Sequence, residues 1–147
     1  MAPAERVLID TDVASYLMKG GENALRYHPF VAGKLVAVSF VTVGEMYIWA
    51  HLKGWGSRRY NSLEVHLKNF VVIPYDGEIT LRFAKIFANR KNMGMPISFP
   101  DAWIAACAVR HAIPLVTNNV KDFQEIESLE VRTAPPKNDV QISLIDS

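Results

Sequence analysis

The sequence predicts an α/β domain built on a mainly parallel sheet, and three observations carry that expectation. Short apolar runs of strand character alternate along the chain with longer segments of helical period. Gly and Pro punctuate the joins between them. Runs such as KLVAVSF are apolar almost without interruption, as a strand covered on both faces must be. Strand and helix in alternation imply parallel pairing through right-handed crossovers.

Taken in order, RVLI is a short buried strand, and VASYLMKGG is a helix stopped by Gly20 and Gly21. KLVAVSF is the second strand. TVGEMYIWAHLKGWG follows as a helix with Thr42 at its N-cap and Gly54 and Gly56 at its end. In RYNSLEVHLKNF, the residues Tyr60, Leu63, Leu67 and Phe70 fall on one helical stripe. VVIP is a third strand, closed by Pro74. DGEITLRFAKIFANRKNMG then places Ile79, Phe83, Ile86 and Phe87 on one face and stops at Gly94. SFPDAWIAACAVRHA is the last long helix, opened by Ser98 and Pro100, and IPLVT is the fourth strand. The 14 residues after Thr133, APPKNDVQISLIDS, shift in composition and read as a C-terminal extension, residues 134–147, to a domain spanning 1–133.

Composition narrows the function classes. The 147 residues suit one domain, and half of them are hydrophobic. Sixteen Lys and Arg against 15 Asp and Glu leave a formal charge of +1, so an anionic partner must be held by a local patch, not a global field. Cys107 stands alone and cannot form an internal disulfide, MAPAERVLI is too short for a secretory signal, and no apolar run reaches a membrane span. The expected protein is cytoplasmic, with no membrane partner.

Chemistry concentrates where the strands end. In an open parallel sheet, ligands bind beyond the carboxyl ends of the strands. Asp10 ends the first strand there, Glu45 lies early in the helix after the second, and TNNVKDF leaves the fourth. Whether Asp101 reaches that edge is open from periodicity alone, since it depends on where the long connection MGMPISFP takes the chain. Each polar residue also has a local explanation. Thr42 with Glu45, and Ser98 with Asp101, have the spacing of capping boxes. Asp12 reads as the N-cap of VASYL, Asn118 and Asn119 as turn residues, and Asp122 as a cap for FQEI. Asp10 resists such a reading, because a carboxylate at a buried strand end needs a partner or a cation to offset its desolvation. His51 and His66 lack a companion at metal-ligand spacing, and Trp103 and Cys107 read as core.

Four segments in this order, VLIDTDV, VTVGEMYIWA, PDAWIAACAV and PLVTNNVKDF, resemble the signature segments of PIN domains, specifically the VapC-type toxins of toxin–antitoxin pairs. The resemblance spans residues 6–132. It implies a PIN-like α/β/α sandwich with a central, mainly parallel sheet of four to five strands, and it brings the start of the DAWIAACAV helix to the carboxyl edge. It implies an endoribonuclease that uses Mg²⁺ or Mn²⁺, leaves a 5′-phosphate and a 3′-hydroxyl, and acts as the toxin that inhibits translation or growth. Matched segment by segment, Asp10, Glu45 and Asp101 take the first three acidic positions, with Asp10 and Asp101 as metal ligands and Glu45 orienting or deprotonating the attacking water. Asn119 stands at the fourth position, where some members carry Asp, with Asp122 three residues later as its substitute. Because Asn119 adds no charge, one tight metal and one weak metal are expected.

For substrate binding, Thr11 and Thr117 flank the acids, and Lys53, Arg58 and Arg59 lie in HLKGWGSRRY among aromatic residues that suit phosphates and bases. RKNMGMP, with Arg90 and Lys91, is a second basic segment. The family further implies a homodimer bound to a cognate antitoxin, with Trp49, Trp55 and Tyr60 lining the antitoxin groove. Two other readings fit parts of the sequence. The D-x-D after an apolar strand resembles the first motif of haloacid-dehalogenase-like phosphatases, although no paired-acid segment follows a later strand. The second is a non-catalytic PIN-fold module that holds RNA or protein.

Overall fold

The computed structural model describes residues 3–137. Strands β1 (Arg6–Ile9), β2 (Leu35–Ser39), β3 (Val71–Ile73), β4 (Leu115–Val116) and β5 (Val131–Arg132) form one sheet in the order β3-β2-β1-β4-β5. Every neighbouring pair is parallel. Helices α1 (Thr11–Lys19), α2 (Glu22–Val31), α3 (Phe40–Leu52), α4 (Ser57–Leu67), α5 (Gly77–Asn92) and α6 (Phe99–His111) cover it. The order reverses direction at β1, with β2 on one side and β4 on the other, so a crevice opens between the carboxyl ends of β1 and β4.

The alternation of side chains along each strand builds two cores. Val7, Ile9, Val38 and Val116 point to one face, where they meet Val13, Tyr27, Met46, Leu63 and Leu67 from the first four helices. Leu8, Ala37 and Leu115 point to the other, against Ile79 and Ile86 of α5 and the buried Ala102 and Ile104 to Ala108 of α6. Burying one such side chain contributes about 1.5–3 kcal/mol, which makes the middle strands the rigid part of the molecule.

The crossover from β3 to β4 is a helical hairpin. Asp76, the N-cap of α5, pairs at 3.3 Å with Arg110 in the last turn of α6, so the two helices run antiparallel. The residues between them, 93–98, sit at the opposite end of the hairpin, and because residues 112–114 lead from the end of α6 directly into the start of β4, α6 begins at the carboxyl edge of the sheet, where Asp101 shares a cleft with Asp10. That settles what periodicity left open.

Several elements differ from expectation. Helix α2 and strand β5 have no counterpart in the sequence reading; α2 fully buries only Tyr27 and carries Pro29 in its last turn, so its stripe is faint. The Gly pair does stop α1, since Gly20 takes a φ of +73°, but the chain re-enters a helix at Glu22. The N-cap of helix α3 lies three residues before Thr42: it is Ser39, whose hydroxyl accepts from the Val41 and Thr42 amides. Helix α1 is capped by Asp10, not Asp12. Beyond Thr133, Ala134 packs into the second core and the Pro135 carbonyl accepts from Arg26 at 2.9 Å. Residues 138–147 of the expected extension lie outside the described residues.

Candidate active site

Asp10 occupies the step where β1 becomes α1. Its amide donates to the Val116 carbonyl across the sheet, its Oδ1 accepts from the Val13 amide at 2.9 Å, and its Oδ2 accepts from the Thr117 hydroxyl at 2.5 Å. The side chain thus does cap a helix, and the cap fixes its orientation. Only 4% of the residue is exposed. Burial pushes the carboxyl up to about 6, against the pull of the Thr117 and Val13 bonds, and the charges of Asp12 and Asp101 push the same way. Thr117, fully buried, also accepts the Asn119 amide at 3.0 Å, so one hydroxyl ties the β4 turn to Asp10.

Glu45 is held differently from a capping-box glutamate. Its Oε1 accepts from the Thr11 hydroxyl at 2.8 Å, and the Thr11 hydroxyl lies 3.0 Å from that of Thr42, which is fully buried. Thr11 has one hydroxyl proton and gives it to Glu45, so Thr42 must donate to Thr11. The resulting chain, Thr42 to Thr11 to Glu45, aims the carboxylate from two helices at once.

Ser98 caps α6 as expected, with its hydroxyl accepting the Asp101 amide at 3.3 Å. Asp101 is half-buried. Burial raises its carboxyl, the Ser98 hydroxyl opposes this, and the charges of Asp122, Glu45 and Asp12 add to the rise.

After β4, Asn119 donates its Nδ2 to Asp12 Oδ2 at 2.6 Å, and Asp122 lies inside a 3₁₀ turn, Val120–Phe123, not at the start of a helix over FQEI. Asn118 accepts from the Tyr27 hydroxyl at 2.9 Å, which pins the turn to α2. Arg90 is no surface cation for RNA, correcting the reading of RKNMGMP. It is 4% exposed and donates to the carbonyls of Met95, Asp122 and Gln124, clasping the turn that carries Asp122. No sequence pattern signals that role.

These residues share one open cleft of about 260 Å³, lined by Asp10, Thr11, Asp12, Glu45, Trp49, Ser98, Pro100, Asp101, Asn119 and Asp122. The lining brings together all five acidic-site candidates and adds Asp12, which the sequence reading left as a cap. Among the described residues, five carboxylates line the cleft and no Lys, Arg or His does. Lys53, Arg58 and Arg59 stay outside it. The Lys53 ammonium lies 5.9 Å from the centroid of the Trp49 ring, while Arg59 sits 4.6 Å over Trp55. Trp49, Trp55 and Tyr60 are all half-buried against the second core, and of the three only Trp49 reaches the cleft. His66, Trp103 and Cys107 behave as structural residues. His66 bonds to the Ala14 carbonyl, Trp103 stacks on Phe83 at 3.9 Å, and Cys107 is fully buried.

The donor set tests whether a cation fits. It is all oxygen, as hard divalent ions require, and the Asp10 and Asp101 carboxyls are raised chiefly by burial, with the neighbouring carboxylates adding to the rise. Among the described residues, no three His, Cys, Asp or Glu side chains close into a ready metal cage. The set therefore suits an ion that keeps several waters and takes few protein ligands, as Mg²⁺ does.

An all-parallel five-strand sheet between helical layers, with a carboxylate cleft at its switch point, defines a PIN-like α/β/α protein. The PIN domain family matches residues 7–129, and the chain belongs to that family, in its VapC-type branch. It is 30% identical over 130 residues to the Ribonuclease VapC1 of Haemophilus influenzae strain R2866, covering 84% of this chain and 93% of that one. Among solved structures, VapBC-1 from nontypeable Haemophilus influenzae matches with a TM-score of 0.73 at 28% identity, over 87% of this chain and 97% of that one. VapBC2 of Rickettsia felis, bound to a DNA fragment from its promoter, shares the fold with a TM-score of 0.77 at 18% identity, over 88% and 99% of the two chains. Membership sets aside the phosphatase reading of D-x-D.

Proposed function

We propose that this chain is the toxin of a toxin–antitoxin pair, an endoribonuclease that hydrolyses RNA phosphodiester bonds with Mg²⁺ or Mn²⁺ in the cleft. The VapC ribonucleases it resembles along nearly their whole length support the class of reaction. One observation carries the assignment to this cleft: Asp10, Glu45 and Asp101, from three separate elements, converge at the switch point with no cationic side chain among the described lining residues.

Asp10 and Asp101 are the residues that would hold the ion, and bound there it would acidify a coordinated water and neutralise charge on the scissile phosphate. The chain's own groups do the positioning. Thr117 and the Val13 amide keep Asp10 in one rotamer, and Thr11 keeps Glu45 turned inward to orient the attacking water or take its proton. Asp12, Asn119 and Asp122 form the fourth side of the site, with Asn119 tethering Asp12. Thr11 lines the cleft, where a substrate phosphate would lie beside it, whereas Thr117 is fully buried outside the lining and serves the site through Asp10, which corrects its expected place in substrate binding.

The partners proposed are a cognate antitoxin, as the VapBC complexes among its structural relatives suggest, together with an RNA substrate and a second copy of the chain in a homodimer. Among the described residues no helix is long and apolar enough to cross a membrane. We place the protein in the cytoplasm, where its substrate is. Incubating it with end-labelled RNA tests the function: cleavage in Mg²⁺ that stops in EDTA and leaves 5′-phosphates supports it, and intact RNA across a panel of substrates contradicts it. A monomer by light scattering at micromolar concentration contradicts the dimer.

A further inference from the structure

We infer that Trp49 and Lys53 form a docking strip for single-stranded RNA beside the reacting phosphate, in which the indole stacks on one base and the ammonium pairs with a neighbouring phosphate. The inference deepens the ribonuclease reading and rests on it. Glu45, Trp49 and Lys53 are four residues apart along α3 and its C-cap, so they form a single stripe that climbs about 6 Å per step. Its lower end is the site carboxylate. One turn on, Trp49 is the single aromatic ring among the described lining residues, which apart from it and Pro100 are polar. A further turn on, Lys53 is exposed and brings positive charge to the rim of a cleft whose own lining holds none.

Each part of the strip answers a requirement of the substrate. Five carboxylates repel an RNA backbone, so the chain needs a cation at the mouth of the cleft to enter it. An unpaired base needs an aromatic face, and stacking accepts any base. Trp49 packs one side on the second core while reaching the cleft, which holds the ring still at little entropic cost. Lys53 lies near the distance limit of a cation–π contact with it, so a base displaces the ammonium cheaply and frees it for phosphate. The other indoles are spent elsewhere. Trp55 already carries Arg59 and has its Nε1 buried, and Trp103 lies against Phe83.

Two readouts test the strip. The first is steady-state cleavage of a single-stranded RNA in saturating Mg²⁺. Trp49→Ala is expected to raise KM roughly ten-fold with kcat nearly unchanged, as lost uniform binding does, and Trp49→Phe to recover most of the loss. Lys53→Gln is expected to raise KM and flatten its dependence on salt. Calorimetric Mg²⁺ affinity is expected to stay at the wild-type value in all three, which a collapsed site would not allow. The second is intrinsic fluorescence with oligouridylate and Ca²⁺ in place of Mg²⁺, where quenching is expected in the wild type and lost in Trp49→Phe. If the wild type cleaves RNA but Trp49→Ala keeps its KM and the quenching does not depend on Trp49, the strip is overturned and the ring is left to the core or to a protein partner. If the wild type neither cleaves nor binds RNA, the ribonuclease reading falls and takes the strip with it.

Discussion

Replacing Asp10 by Asn should make the metal-free protein more stable at neutral pH while removing its response to metal. The carboxyl is pushed up to about 6 from an ordinary 3.8, mainly by burial. A raised carboxyl stabilises the fold only while it is protonated. That contribution is complete below the unfolded value, near 3.8, and is lost as the pH rises through about 6. About two pH units at about 1.4 kcal/mol each put the cost of ionised Asp10 near 3 kcal/mol above pH 7. Asn keeps one acceptor for the Val13 amide but turns a donor toward the Thr117 hydroxyl, which must re-aim at a cost of about 1–2 kcal/mol. The balance is a gain of about 1–2 kcal/mol, or a few degrees in Tm for a domain of this size. Urea unfolding in EDTA at pH 7.5 and pH 4.5 measures it. The variant should exceed the wild type at pH 7.5 and lose its advantage at pH 4.5, and adding saturating Mg²⁺ should stabilise only the wild type. A variant less stable than wild type at pH 7.5, or equally stabilised by Mg²⁺, refutes the view of Asp10 as an uncompensated ligand.

Substitutions at Thr42, Arg90, Asn119 and Asp122 probe the surroundings of the acids. Thr42→Val removes the donor behind Thr11 and should lower kcat roughly ten-fold with Mg²⁺ affinity intact, whereas Thr42→Ser should restore the rate; calorimetry beside RNA cleavage separates these outcomes. Arg90→Met strands the carbonyls of Met95, Asp122 and Gln124, and should cost about 3 kcal/mol in urea unfolding as well as weaken the metal through a loosened Asp122. Asp122→Ala should reduce metal affinity and activity in part, while Asn119→Asp should raise metal affinity and destabilise the metal-free fold, because it sets a second carboxylate against Asp12. If Asp122→Ala changes neither quantity and Asn119→Ala abolishes cleavage, Asn119 alone is the working fourth residue.

Much of this architecture was legible in the sequence because β1 to β4 are apolar runs broken only by Arg6 and Ser39 at strand ends, even though Val71 and Val72 of the edge strand β3 stay exposed. The unread elements are those whose pattern is short or diluted: β5 has two residues, and α2 fully buries one. Three of the acids could be placed at a sheet edge because residues at strand ends and in first helical turns have few places to go. Asp101 was different, since its position depends on α5 and α6 forming an antiparallel hairpin, which no local period encodes. Cap assignments slipped by two or three residues for a physical reason. A Thr or Asp that opens an apolar stripe looks like a cap, yet Thr42 is buried inside α3 to hold Thr11, and Asp12 faces the cleft beneath Asn119. Both residues break the local rule in favour of the site. Arg90 shows the reverse error, a charge taken for surface that closes a buried turn.

The central claim is that a divalent ion held between Asp10 and Asp101 drives RNA hydrolysis in this cleft, and cleavage by Asp10→Asn and Asp101→Asn tests it most directly. Each variant should retain the wild-type circular dichroism and a cooperative unfolding transition, yet lose metal-dependent cleavage of an RNA that the wild type cuts in Mg²⁺. Retained cleavage in either folded variant, with EDTA still inhibiting it, would mean that the ion is held elsewhere.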